Sequence, residues 1–268
     1  MSNIGFAFLM TLIAGLTTVI GSLFVFLTKK INKKFLAVSL GFSAGVMIYV
    51  SLVELFKEAN DSLILLLGQR KGAFVAVAAF FGGMLLIALI DKVIPEAQNP
   101  HEIETSLEDG EEKLKRKGNN LMRAGLFTAI AIAIHNFPEG LAVFVSATQD
   151  LTIAVPVVIA IAIHNIPEGI AISVPIYYAS GSRKKALAYS FLSGLAELLG
   201  ALVGYLVLKP FMNEMMFPVL FAAISGIMVF ISMDELLPAA REYGEHHLSM
   251  YGLVAGMIIM AGSLLILN

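Results

Sequence analysis

Runs of about 20 apolar residues, parted by short polar connectors, constrain this chain more than any other feature. A helix rising 1.5 Å per residue needs that length to cross a hydrocarbon core of about 30 Å. Only 14% of the 268 residues are charged and 58% are hydrophobic, whereas a soluble domain carries about 25% charged residues. The mean hydropathy is +0.84. These values predict an all-α integral membrane protein, a single multi-pass domain over 1–268 with the lipid bilayer as its constant partner. Eight spans are expected, near 5–27, 35–57, 73–93, 123–147, 151–179, 186–208, 216–236 and 249–267. The first lacks a basic leader and is too long for a signal peptide, so it reads as a span. The stretch 94–122, with "EIETSLEDGEEKLKRKGNN", mixes both charge signs with Gly and Asn and reads as a flexible cytoplasmic loop.

Lys and Arg set the orientation. The connectors after spans 1, 3, 5 and 7 hold 14 of the 18 basic residues, and the opposite side holds 4. Both termini are therefore extracytoplasmic, and spans 4 and 5 run in opposite directions. With no cysteine, disulfides and thiolate metal sites are excluded. A net charge of −2 argues against a polyanionic partner such as nucleic acid.

Polar residues break the apolar pattern in one repeated place. "IAIHNFPEG" at 132–140 returns as "IAIHNIPEG" at 161–169, each central to its span. A direct repeat on antiparallel helices is what a pseudo-two-fold axis in the membrane plane would bring together, as in inverted-repeat transporters. An ionisable group at this depth costs about 2.5–3.5 kcal/mol on insertion scales and must face a partner inside the bundle. His135 and Glu139, like His164 and Glu168, are four residues apart and share a helix face. Asn136 and Asn165 lie between them. Imidazole nitrogen, carboxylate oxygen and amide oxygen all suit borderline divalent metals. Pro138 and Pro167 release the carbonyls of Ile134 and Ile163, and the glycine after each Glu admits a second backbone. Together these features predict a metal site beside a bent, water-accessible path. A lone intramembrane His is often just hydrogen-bonded to a neighbouring helix, but two copies on neighbouring antiparallel helices weigh against that reading.

Other candidates carry less. Glu197 is central to span 6 with no basic residue in that span, so it can add a third helix to the site. Glu54, Asp234 and Glu235 lie near span ends, where a passage site and a simple cap are equally expected. Asp91 and Lys92 read as an interfacial turn. His101, beside Glu102 and Glu104, reads as a solvated loop residue. The adjacent His246 and His247 read as surface groups, and the 13 Met as packing.

"HNFPEG" and "HNIPEG", with "GFSAGVMIYVSLVEL", "SGLAELLGA", "GIMVFISMDELLPAA" and "DKVIPEAQNPHE", resemble the ZIP family of divalent-metal transporters, and its bacterial branch most of all. The resemblance covers essentially the whole chain. It implies an eight-transmembrane-helix bundle with both ends outside. It also implies a multi-pass protein of the plasma (inner) membrane that takes up zinc, with iron, manganese, cobalt and cadmium as further cargoes, and needs no prosthetic group. By motif position, one metal would use His135, Glu139, His164 and Glu168. A neighbouring one would use Asn136, Glu139, Asn165, Glu168 and Glu197, the two motif glutamates bridging. Many relatives carry a histidine-rich loop between spans 3 and 4, where this chain has only His101.

Import agrees with the physics, since a divalent ion moving inward gains about 4.6 kcal/mol per 100 mV of inside-negative potential. The glycine-rich phosphate loop of ATP-driven pumps is absent from the sequence. A metal-selective channel could use the same residues. An intramembrane metalloenzyme would need a Glu free as general base, with the order H-E-x-x-H. The sequence leaves a homodimer open.

Overall fold

Backbone N–H and C=O groups find no water inside a bilayer, and the chain meets this with helix almost throughout. The structure is a computed structural model that describes residues 2–27, 32–93, 111–208, 213–243 and 246–267. Among the described residues, eight helices are long and apolar enough to cross a membrane. They are span 1 (Ile4–Phe26), span 2 (Lys33–Leu67), span 3 (Gln69–Ile90), span 4 (Thr128–Gln149), span 5 (Leu151–Ser180), span 6 (Arg183–Val207), span 7 (Met216–Arg241) and span 8 (His247–Ile266). No strand occurs among the described residues.

Three boundaries differ from expectation. Span 2 runs past 57 to Leu67 because a π-helical turn, Ser51–Leu55, leads into an amphipathic helix, Phe56–Leu67. That helix buries Ala59 and Leu63 while Lys57 and Asp61 pair at 3.2 Å on its wet face. Gly68, at φ 81°, then turns the chain into span 3, a conformation that favours glycine. Span 7 likewise continues to Arg241 beyond a π-helical turn, Ser232–Leu236. The helix carrying span 4 begins at Glu111, inside the stretch read as a loop. Its sequence accounts for this, with Glu111 and Glu112 in the first turn, each four residues before a basic residue.

Spans 4 and 5 are joined by a single non-helical residue, Asp150. Its carboxylate accepts from Thr152 N–H at 2.8 Å and from the Thr152 hydroxyl at 2.9 Å. These bonds hold its carboxyl below the usual aspartate range and start span 5 at once. So short a turn leaves the two motif helices no choice but to lie antiparallel side by side.

The packing has the inverted symmetry that the repeat predicts. Span 3 packs on span 7 as span 8 packs on span 2, and span 4 on span 6 as span 5 on span 1. Small residues repeat the relation in detail: Gly226 of span 7 lies against the Phe80 carbonyl of span 3, and Gly45 of span 2 against the Leu253 carbonyl of span 8. Two four-helix groups result, spans 1, 4, 5, 6 and spans 2, 3, 7, 8. They meet through span 2 against span 5 and span 4 against span 7. Large apolar side chains such as Phe74, Leu85, Leu89 and Ile258 point outward, the pattern required of a surface that faces lipid.

Candidate metal centre

The polar residues of the two motifs end up at the driest place in the bundle. His135, Asn136, Glu139, His164, Asn165, Glu168 and Glu197 are each at most 1% exposed. Among the described residues no Lys or Arg is buried with them. Three carboxyl groups removed from water with no Lys or Arg beside them leave only the imidazoles, or a bound cation, to supply positive charge.

The helices run unbroken through both motif prolines, so the backbone supplies fixed rails for side chains four residues apart. The pairs form across the axis. Glu139 Oε1 of span 4 lies 3.0 Å from His164 Nε2 of span 5. Reciprocally, Glu168 Oε1 lies 3.2 Å from His135 Nε2. Ligand atoms of Glu139, His164 and Glu168 all fall within 4.8 Å of one another, a spacing that one cation can bridge. His164 Nδ1 is 3.0 Å from the Ala160 carbonyl, which can only accept, so Nδ1 carries hydrogen and Nε2 faces Glu139. A hydrogen bond between Nε2 and Glu139 needs one proton there. A cation takes the place of that proton, because ligands bind deprotonated.

Of the second expected set, Asn165 and Glu197 are in direct contact, while Asn136 bonds to the backbone of span 6. The Asn165 amide donates to Glu197 Oε1 at 2.6 Å and to the Ala14 carbonyl at 3.0 Å. The Asn136 amide donates to the Ser193 carbonyl of span 6 at 3.1 Å. With their N–H groups used in this way, both asparagines turn a carbonyl oxygen loose. Asn136 Oδ1, Asn165 Oδ1, Glu139 Oε2, Glu168 Oε2 and Glu197 Oε2 are buried acceptors with no hydrogen-bond partner. Unsatisfied buried acceptors cost free energy, and oxygen atoms of this kind suit a hard or borderline cation.

The glycines do what their positions predicted. A Cβ at Gly140 would collide with the Glu197 carbonyl, and one at Gly169 with the Thr18 carbonyl. Spans 6 and 1 therefore approach spans 4 and 5 closely enough for Glu197 and the Ala14 carbonyl to reach the centre. The expected water-accessible path differs. The seven residues are closed off from both faces, because spans 1, 2, 6 and 7 pack over the motif helices.

Two further groups touch the centre. Ser43 of span 2, fully buried, has its hydroxyl 3.1 Å from Glu168 Oε1 and 3.2 Å from the His164 carbonyl. Nothing in the sequence pattern singles it out. Glu235, a span-end acid of open role, has Oε2 3.9 Å from His135 Nδ1, with its side chain 26% exposed. That gap is too long for a hydrogen bond. Glu54 is half-buried on span 2. His101 lies outside the described residues. His247 is exposed and stacks on Tyr251.

A family model described as ZIP Zinc transporter matches residues 92–264, more than half of the chain. The chain belongs to the ZIP family. Its ZIP relatives include proteins named zinc transporter ZupT from Streptococcus mutans, 62% identical over 97% of both chains, and from Oceanobacillus iheyensis, 58% identical over 100% of both. Another of that name, from Clostridium perfringens, is 56% identical over 99% of this chain and 97% of its own. At such identities a ZIP fold extends over the full length, and the chain is a multi-pass protein of the plasma membrane.

Proposed function

We propose that this protein carries divalent metal ions, zinc foremost, across the plasma membrane into the cytoplasm. The observation that carries the reading is the crossed pair of His–Glu contacts, Glu139 with His164 and Glu168 with His135, buried with no Lys or Arg among the described residues. A dication satisfies both the orphaned oxygens and the missing positive charge. The relatives, all named zinc transporters, support zinc as the cargo.

In this reading His135, Glu139, His164 and Glu168 hold one ion. Asn136, Asn165 and Glu197 join the two glutamates around a second, and Glu139 and Glu168 bridge both. Iron, manganese, cobalt and cadmium fit the same nitrogen and oxygen donors, with preference set by geometry and availability. Full burial of the seven residues supports a carrier, which closes over its cargo, rather than a channel with a continuous water path. The inside-negative potential supplies the drive. No prosthetic group enters the scheme, and every motif glutamate is engaged as a ligand rather than left free as a general base.

The test is metal uptake into proteoliposomes across a panel of divalent ions, with and without an imposed inside-negative potential. Saturable zinc uptake that quickens with the potential is expected. Absence of zinc uptake, or discrete single-channel openings in a planar bilayer, would overturn the carrier reading.

A further inference from the structure

Spans 2 and 7 hold a second repeat that the motif helices overshadow. Ser51–Leu55 reads SLVEL and Ser232–Leu236 reads SMDEL, and each forms a π-helical turn inside an otherwise α-helical span. Turns of this kind are rare and gather at functional sites. Their surroundings match position by position. Ser51, Leu55 and Ala59 are buried as are Ser232, Leu236 and Ala240, while Glu54 and Glu235 are each half-buried. Each π-turn packs against the other span.

Because spans 2 and 7 are antiparallel, the two acids lie toward opposite membrane faces. Glu54 follows the centre on the way to the outer face, and Glu235 follows it on the way to the cytoplasm. The axis that exchanges spans 4 and 5 also exchanges spans 2 and 7, so it carries Glu235 onto Glu54 and His135 onto His164. Only one of the two equivalent approaches is made. Glu235 Oε2 stands 3.9 Å from His135 Nδ1. On the other side His164 Nδ1 is bonded to the Ala160 carbonyl, and the Ser43 hydroxyl of span 2 closes over Glu168. Among the described residues no ion pair joins Glu54 to His164.

We propose that the two π-turn glutamates are alternating partners of the site histidines: Glu235 meets His135 in the closed conformation seen here, and in a conformation open to the outer face Glu54 meets His164 while Glu235 withdraws. This rests on the reading of the chain as a carrier. Glu54 then stabilises the outward-open state and Glu235 the closed state seen here, so removing either shifts the population toward the other state.

The chain has no cysteine, so one introduced thiol reports on one place. Ser43→Cys puts it where span 2 closes over the centre, buried here and reachable from outside only when that side opens. Intact cells, stripped of metal with a chelator, are treated with a membrane-impermeant thiol reagent. Labelling is normalised to the amount of folded protein in the membrane. Glu54→Gln is expected to slow labelling roughly tenfold, the effect of losing one charge-assisted hydrogen bond. Glu235→Gln is expected to quicken it, and Glu54→Asp, which keeps the carboxylate, to restore part of what Gln loses. Shifts in the same direction for both Gln variants, no shift in either, or an Asp variant no better than Gln would overturn the proposal. No metal enters the assay, so its outcome is separate from whether zinc is the cargo.

Discussion

Glu139 reaches across from span 4 to His164 of span 5 at 3.0 Å, and its repeat counterpart Glu168 reaches back to His135 at 3.2 Å. In the proposed reading each copy of the motif completes the other, and neither helix would hold a metal site alone. Loss of one glutamate should therefore disable the centre. Zinc uptake into proteoliposomes is expected to fall by roughly tenfold or more in Glu139→Ala and in Glu168→Ala, since even outer-shell changes cost about 10- to 100-fold at metal sites. Undiminished uptake in both variants would remove these residues from the path.

His164 has the most fixed imidazole, with Nδ1 tied to the Ala160 carbonyl and Nε2 directed at Glu139. Nitrogen donors favour zinc over manganese more strongly than oxygen donors do. His164→Ala is expected to lower zinc uptake more than manganese uptake, read from competition in a two-metal assay. An unchanged ratio would assign His164 a structural role.

Glu197 belongs to span 6 and touches the centre through Asn165, at 2.6 Å. It is expected to serve the second ion without holding the first. Glu197→Gln, which keeps the shape, should leave zinc uptake measurable while weakening zinc affinity severalfold in equilibrium binding to the purified protein. Complete loss of uptake in a folded variant would place Glu197 on the obligatory path.

Gly140 and Gly169 act through space. A methyl group at either meets a backbone carbonyl of a neighbouring span, and backbone cannot swing aside as a side chain does. Gly140→Ala and Gly169→Ala are each expected to cost about 1–3 kcal/mol of stability. Thermal unfolding in detergent would show this, and an unshifted midpoint would mean that the spans are not packed this closely.

Much of this arrangement was written in the sequence, and what was not has identifiable causes. Eight spans and the motif residues are legible because long apolar runs leave few alternatives, and a His–Asn–Pro–Glu cluster within such a run has no packing reason to occur twice. Ser43 is not legible, since a lone serine in a small-residue helix has a plain packing role until span 5 is laid against it. Glu54 and Glu235 read equally as helix-end caps or passage sites because hydropathy ends both spans early. The π-helical turns carry the helices on, and only the repeat SLVEL and SMDEL hints at this. Closure over the centre is also invisible to composition, as it depends on how spans 1, 2, 6 and 7 pack across the motif helices.

The central claim is that the two motif copies build one centre, and equilibrium zinc binding to the purified protein tests it most directly. Binding should collapse in Glu139→Ala alone, and as completely as in the Glu139→Ala/Glu168→Ala double variant. A single variant that keeps half of the bound zinc at unchanged affinity would contradict it, because each motif would then hold its own ion independently.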